Sequence, residues 1–265
     1  MDLHWLYDLS NFLLGVLVVG FFIVVGIVGL LLTRAWIRKL HRIDHSHNDI
    51  VGFYLAAVTV FYGITLGLVA VGTWETYSDV QNRVDHEAST LGALYRDVSA
   101  YPEPLRSQLQ NDLRSYTRQV IDVGWPMQQR GIIPNNASGV LMELQNHFMA
   151  FEPTTERQKI LAAEAYRAYN ELTEARRARL NSIDAELPGP LWAMVIAGAL
   201  LSIATTWFFH TASFSMHFWL TVLFSALTGL LVYLIVSLDN AYRGRISVSP
   251  EPLQRVYEQT MNPPQ

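Results

Sequence analysis

The sequence predicts an all-α, polytopic membrane protein, in which a helical-bundle domain lies between the second and third of four transmembrane helices. Three observations predict this fold class. The apolar residues collect in four long runs that carry no charge. Between the second and third runs, apolar residues recur at the spacing of amphipathic helices, and no stretch shows the strict alternation of a half-buried strand.

The four apolar runs have the length that a membrane crossing needs. A hydrocarbon core about 30 Å thick takes about 20 apolar residues in a helix. We therefore expect spans at about 11–33, 50–73, 191–209 and 217–238. The first run has an acidic start and no small-residue cleavage site, which argues against a cleaved signal peptide.

These spans divide the chain into four parts. Residues 1–73 form a first transmembrane hairpin, and 74–190 form the extramembrane helical bundle. Residues 191–238 form a second hairpin, and 239–265 form a C-terminal tail.

Within the bundle, proline and glycine mark the helix ends. The second span continues as one rod until 101–104, Tyr-Pro-Glu-Pro, breaks it. A second helix is expected to end at Gly124 and the Trp-Pro pair that follows, and a third covers about 139–151. Thr155 and Gln158 suit a capping box that opens a long fourth helix, which we expect to reach about 188.

Composition excludes several functions. The formal net charge is -4 and no basic block is present, which argues against a nucleic-acid partner. The absence of cysteine excludes disulfides, thiolate zinc sites and cysteine nucleophiles. No Gly-rich phosphate loop, nucleophile elbow or His-Glu-x-x-His motif occurs, so we expect neither an enzyme nor a cofactor.

The expected spans contain no Lys, Arg, Asp or Glu, which disfavours a proton-coupled pump and favours a passive conduit. Gly63 and Gly67 lie four residues apart in the second span and allow two helix backbones to approach closely. The contact would lie either within the chain or between two subunits.

If a pore exists, we expect the second span to line it. One stripe of that helix carries hydroxyl groups, which replace part of an ion's hydration shell, and apolar side chains, which gate by dewetting. Packing or lipid contact is the alternative for each residue. The stripe consists of Tyr54, Val58, Tyr62, Thr65, Val69 and Thr73.

Six charged residues at or beyond the span ends are candidates for a vestibule. They either form salt bridges and caps within a bundle, or form rings that select ions at a pore mouth. For the last of them, the preferred interpretation is a helix end bonded to backbone amides of the turn at 240–244. The six are Glu75, Glu87, Arg96, Arg176, Arg179 and Asp239.

Histidines gather in the loop after the first span. His41, His45 and His47 lie there with Asp44 and Asp49. Such a group could bind zinc or nickel or respond to pH near 6, whereas a solvated basic loop explains it without special function.

Motifs distributed over nearly the whole chain resemble the bestrophin-like family of four-helix integral membrane proteins. They are Trp74-Glu75-x-Tyr77, Glu87-Ala88, Leu94-Tyr95-Arg96, Tyr116, Trp125-Pro126, Arg176, Arg179-Leu180, Leu187-Pro188 with Trp192, the Leu238-to-Gly244 signature, and Val248-Ser249-Pro250-Glu251-Pro252-Leu253. The chain departs from the family pattern at Ala241, where proline is usual, and at Gly124, where an acidic residue is usual. The second change removes a possible partner of Arg176 or Arg179.

The resemblance implies a homo-oligomeric, channel-like protein of the bacterial cytoplasmic membrane that conducts inorganic anions or small solutes, with the lipid bilayer and further copies of itself as partners. The alternative is a non-conducting membrane sensor or scaffold whose bundle binds a ligand or a partner protein.

The orientation in the membrane has two indications that disagree. Arg34, Arg38, Lys39 and Arg42 follow the first span, and no Lys or Arg occurs in the first ten residues, which places that loop in the cytoplasm and the bundle outside it. The resemblance implies a cytoplasmic bundle. On the residues alone we favour the extracytoplasmic side.

Overall fold

The computed structural model describes residues 9–40, 47–211, 213–244 and 246–262. Within these ranges the regular structure is entirely helical. The helices are α1 (Asn11–Leu40), α2 (His47–Asp97), α3 (Leu105–Gln119), α4 (Trp125–Gln128), α5 (Ser138–Met149), α6 (Glu156–Leu180), α7 (Gly189–Trp207), α8 (Phe214–Asp239) and α9 (Glu251–Val256).

The chain divides into two compact units. Unit 1 consists of Met1–Glu75, Glu186–Asn240 and Gly244–Ile246, and unit 2 of Thr76–Ala185, Ala241–Arg243 and Ser247–Gln265. Helix α2 is a single helix of 51 residues that belongs to both units, which confirms the predicted continuous rod.

In the part of the chain that the structure describes, four helical segments are long and apolar enough to cross a membrane. They are Asn11–Ile37, the apolar part of His47–Ala100, Gly189–Trp207 and Phe214–Asp239. The expected stretches 11–33, 50–73 and 217–238 lie within three of these segments, whereas α7 ends at Trp207 and the third run was expected to reach 209.

The core of unit 1 forms where α1, α2, α7 and α8 meet. Phe22, Leu66, Val195, Ile203 and Ile235 are almost completely buried there. Glycine allows a close approach of α1 to α8: a Cβ on Gly229 would lie 2.9 Å from Val19 Cα.

Unit 2 is a helical bundle with its own core. Leu91, Leu94, Leu109, Leu144 and Leu172, from α2, α3, α5 and α6, have no appreciable exposed surface. In the sequence, the apolar residues of these helices recur at helical spacing, as predicted.

The predicted capping box opens α6. The Thr155 hydroxyl accepts a hydrogen bond from the Gln158 backbone N–H, and the Gln158 side chain accepts one from the Thr155 backbone N–H. Two N–H groups that the first helical turn leaves unsatisfied thereby gain partners, which confirms this prediction.

Two predicted helix limits in unit 2 are wrong. The second helix does not end at Gly124: it continues through a wide π-type turn at Val120–Gly124 into α4, whose first turn contains Pro126. Proline is tolerated in a first turn because its missing N–H would have no helical partner there. Helix α6 ends at Leu180 rather than near 188, and the predicted tail contains α9.

We predict that Gly229→Ala destabilises the protein by about 1–3 kcal/mol, because the added methyl group meets the α1 backbone in a filled interface. Thermal unfolding in detergent, followed by circular dichroism, measures the change. Gly20→Ala is the matched control, since a Cβ on Gly20 has no atom within 4 Å. Equal stability of the two variants would contradict the assignment of Gly229 to a tight contact.

Candidate functional site

A buried ion pair lies at the centre of unit 2. Glu87 of α2 and Arg179 of the last turn of α6 form it, with side chains 0% and 1% exposed. The Arg179 Nε–H donates to Glu87 Oε2, and Nη2–H donates to Oε1 at 3.1 Å. This two-pronged geometry fixes the orientation of both side chains. The structure therefore brings together two of the six predicted charged residues.

Two further side chains form hydrogen bonds with the pair. The Tyr116 hydroxyl of α3 donates to Glu87 Oε1 at 2.6 Å. The Gln128 side-chain oxygen of α4 accepts from Arg179 Nη1 at 2.7 Å, and its Nε2 donates to the Gly124 carbonyl at 3.3 Å. Four helices thus meet at one polar cluster, which we define as Glu87, Tyr116, Gln128 and Arg179.

Aromatic rings surround this cluster. The guanidinium carbon of Arg179 lies 5.8 Å from the centre of the Trp125 ring, within the range of a cation–π contact. Tyr242 packs edge-on against Trp125, with ring centres 5.7 Å apart, and its hydroxyl donates to the Arg179 carbonyl at 3.3 Å. The signature region at 238–244 therefore contributes to unit 2 through Tyr242.

Burial and charge set the protonation of the polar cluster. Burial, reinforced by the negative charge of Glu87, raises the pKa of Tyr116 well above its usual range. Burial alone would lower the pKa of Arg179. The charge and hydrogen bonds of Glu87 outweigh this effect, and the pKa of Arg179 is raised above its usual value. Burial also raises the pKa of Tyr242. The cluster therefore holds a charged Arg179 and neutral tyrosines at neutral pH.

A second polar contact, within unit 1, joins the end of α8 to the start of α7. Asp239 Oδ1 accepts from the Leu187 backbone N–H at 2.7 Å, and Oδ2 accepts from Trp192 Nε1 at 3.0 Å. Asn240 donates to Glu186 at 2.7 Å. Both of these donors lie at the start of α7, whereas donors in the turn at 240–244 were expected from the sequence.

The other predicted charges lie apart from the polar cluster or at its edge. Glu75 and Arg96 are exposed and form no ion pair within the described part of the chain. Arg176, half-buried on α6, donates to the Ser138 hydroxyl at 3.1 Å.

The predicted pore-lining stripe of α2 faces two environments. Tyr54 is 62% exposed, whereas Val69 and Thr73 are 8% and 4% exposed. The Tyr62 hydroxyl donates to the Val195 carbonyl of α7 at 3.1 Å. The remaining two residues of the stripe, Val58 and Thr65, are half-buried. Part of the stripe therefore packs against other helices of the same chain, and the pore-lining role of the stripe stays a prediction.

The opposite face of α2 is uncovered. Phe53, Val60, Ile64 and Val71 are 75%, 58%, 60% and 56% exposed, at the spacing of one helix face. Gly63 and Gly67 flank this face, and a Cβ on either would have no atom within 4 Å. Of the two interpretations of these glycines, close packing within the chain has no supporting contact among the described residues.

Of the predicted metal ligands, His41 and His45 lie outside the described residues. His47 shares a hydrogen bond of 2.8 Å between its Nε2 and the Phe208 carbonyl. No group of three or more His, Asp or Glu side chains with metal-binding geometry occurs among the residues that the structure describes.

The sequence missed two partners in the polar cluster. Gln128 follows a Trp-Pro pair that was assigned to a helix end, so its helical position was hidden. Tyr242 was noted only as part of a signature. No local sequence signal marks either residue as buried, because Gln128 is followed by Gln129 and Arg130, and Tyr242 lies between Asn240 and Arg243.

Comparison with known families adds the decisive observation. The bestrophin-like domain matches residues 20–253, which is most of the chain. The chain belongs to the bestrophin-like family. Among curated proteins, nothing matches this bestrophin-like chain.

Solved structures share the fold of this bestrophin-like protein. A variant of a bacterial bestrophin homologue from Klebsiella pneumoniae superimposes with a TM-score of 0.67 at 11% identity, covering 93% of this chain and 97% of that one. Another crystal structure of the Klebsiella pneumoniae homologue gives 0.65 at 11% identity, covering 94% and 99%. At such low identity the likeness establishes the fold.

We predict that Glu87→Gln destabilises this bestrophin-like protein by about 3–5 kcal/mol, because Arg179 would remain buried without its counter-charge. Unfolding in detergent, followed by near-UV circular dichroism, measures the loss. Glu164→Gln is the matched control, since Glu164 pairs with Arg167 on the surface of the same helix as Arg179. A Glu87→Gln protein as stable as the control would contradict a structural role of the pair.

We predict that stability falls as the pH rises above about 10, partly through Tyr116. The unfolded tyrosine loses its proton near pH 10, while the folded Tyr116, with its pKa raised, keeps it. Each such proton contributes a slope of up to about 1.4 kcal/mol per pH unit, absent below pH 10. Tyr116→Phe should show a shallower decline between pH 10 and 11. Parallel curves for both proteins would refute the assignment.

Proposed function

We propose that the chain is one subunit of a homo-oligomeric channel in the bacterial cytoplasmic membrane, and that it passes small inorganic anions or solutes passively. Membership in the bestrophin-like family supports a channel-like membrane protein. The observation that carries the proposal is the uncovered face of α2, which consists of Phe53, Val60, Ile64 and Val71.

This face is unusual within unit 1. Only 11% of the apolar window of α2 is buried by the rest of the chain, against 28% for α1, 28% for α7 and 39% for α8. An apolar helix in a bilayer is covered by lipid or by protein. In the proposal, α2 helices of neighbouring subunits cover its flanks, and the centre of the face lines a conduction axis.

The glycines beside the face support a protein neighbour rather than lipid alone. Gly63 and Gly67 expose the α2 backbone, and among the described residues no atom lies within 4 Å of a Cβ built on either of them. Small residues allow two transmembrane helices to approach closely and gain packing energy that lipid tails match less well.

The chemistry of the face suits passive conduction. Val60, Ile64 and Val71 would form apolar rings that gate by dewetting, and the absence of charge in the span leaves no proton relay. This assignment moves the lining from the stripe through Val69 and Thr73 to the exposed side of the helix, because those two side chains pack within the subunit.

Glu75 lies four residues beyond Val71 and is exposed on the same face of α2. A ring of Glu75 carboxylates would favour cations at that mouth. The assay below therefore measures anions and cations together.

A second candidate is a non-conducting sensor or scaffold. The observation that favours it is that one continuous helix, α2, belongs to both compact units. A ligand or partner bound to unit 2 would then shift the membrane-type helices without opening a path. Neither candidate includes a catalytic step.

We place the protein in the inner membrane, with unit 2 on the extracytoplasmic side as the basic first loop suggests.

We predict that Ile64→Ser raises anion or cation flux into liposomes several-fold, because a hydroxyl wets an apolar constriction. Flux of chloride, sodium and potassium is measured on the same sample as the subunit count. Leu223→Ser is the matched control, since Leu223 is 64% exposed on α8, away from the proposed axis. Absence of flux from a well-folded oligomer of the Ile64→Ser protein would reject the channel and favour the sensor or scaffold.

A further inference from the structure

A small cavity in unit 2 is bordered by two arginines. Arg176 and Arg179 of α6 line it, together with Gly124, Gln128 and Asn136. Its volume is about 10 Å³, which is room for one water molecule or one small ion.

The side chains around this cavity carry an excess of positive charge. Glu87 compensates Arg179, but no carboxylate in the described part of the chain forms an ion pair with Arg176, whose side chain donates to the neutral Ser138 hydroxyl. Two guanidinium groups therefore face one carboxylate. A partly buried positive charge without a partner favours the binding of an anion.

Arg179 also has donors to spare. A guanidinium carries five N–H groups, and Arg179 uses three of them, two on Glu87 and one on Gln128. Two N–H groups have no acceptor among the described residues, in a side chain that is 1% exposed. Buried donors without an acceptor are costly, so an acceptor in the cavity would be stabilising.

The wall of the cavity at Gly124 has space for a side chain. Gly124 has ordinary helical angles, φ -65° and ψ -43°. A Cβ there would lie 3.4 Å from the Gln119 carbonyl oxygen, 3.6 Å from Asn136 Oδ1 and 3.7 Å from Pro134 Cβ, all ordinary contacts. A tethered carboxylate can therefore be introduced at this position.

We propose that this cavity binds one small inorganic anion of halide size, held by the Arg176 guanidinium and by the remaining N–H groups of Arg179. The bound anion supplies the negative charge that the protein lacks at this point, and it links α6 to the segment between α4 and α5. The site belongs to unit 2 and does not depend on whether the chain conducts ions.

The test measures the thermal unfolding midpoint of the full-length protein in detergent, in sodium chloride and in sodium gluconate at equal ionic strength. Gluconate is too large for the cavity. We expect the midpoint in chloride to rise by about 3–6 °C for each tenfold increase above the dissociation constant.

Three variants assign the effect to the cavity. Arg176→Gln should lose the chloride-specific rise, and Arg177→Gln, an exposed neighbour on the same helix, should retain it. Gly124→Asp should be as stable in gluconate as the natural protein is in chloride, because its carboxylate replaces the ion.

An equal chloride response in the natural protein and Arg176→Gln would overturn the proposal, as would the absence of any chloride-specific response, which would mean that water fills the cavity. If Arg176→Gln or Gly124→Asp does not fold, crystals of the natural protein are soaked in bromide and the anomalous scattering is measured. A bromide peak beside Arg176 supports the site, and the absence of a peak overturns it.

Discussion

The bidentate contact between Glu87 and Arg179 is the interaction around which unit 2 is built. Two charges removed from water are tolerated only when their remaining hydrogen-bonding capacity is largely met, and Tyr116 and Gln128 provide much of it. Because these four residues come from α2, α3, α4 and α6, satisfying one pair fixes the mutual positions of four helices. The wide turn at Val120–Gly124 places Gln128 within reach of Arg179.

The two faces of α2 differ in burial, and this difference is the basis of the proposed function. In unit 1, Leu66, Val69 and Thr73 are buried against neighbouring helices, while Phe53 and Ile64 on the other side are open. In a bilayer, this open face of α2 is covered by lipid or by protein. In the proposed oligomer, copies of α2 from neighbouring subunits cover the flanks of this face. The same face then serves both assembly and conduction.

The sequence predicted what local chemistry determines. Uncharged runs located the apolar helices, helical spacing located the bundle helices, and Thr155 with Gln158 located the start of α6. It could not predict contacts between distant residues: Glu87 and Arg179 are 92 positions apart. Asp239 likewise finds Leu187 and Trp192 rather than only its own turn.

Nor could the sequence say which side of α2 packs inward. Val58 and Val69 on one side and Val60 and Val71 on the other are the same residue type, so periodicity carries no information about the partner of each face. Contacts with α7 determine which side of α2 packs inward, and the hydrogen bond from the Tyr62 hydroxyl to the Val195 carbonyl is one of them.

The most direct test of the account is cross-linking at the uncovered face, which the absence of native cysteine makes simple. A single cysteine at Ile64, treated in membranes with an oxidant or a short bis-maleimide, should yield covalent dimers on a denaturing gel, whereas a cysteine at Leu223 should not. Monomers alone from the Ile64→Cys protein, under conditions in which the thiol reacts with a soluble maleimide, would contradict a meeting of α2 faces between subunits.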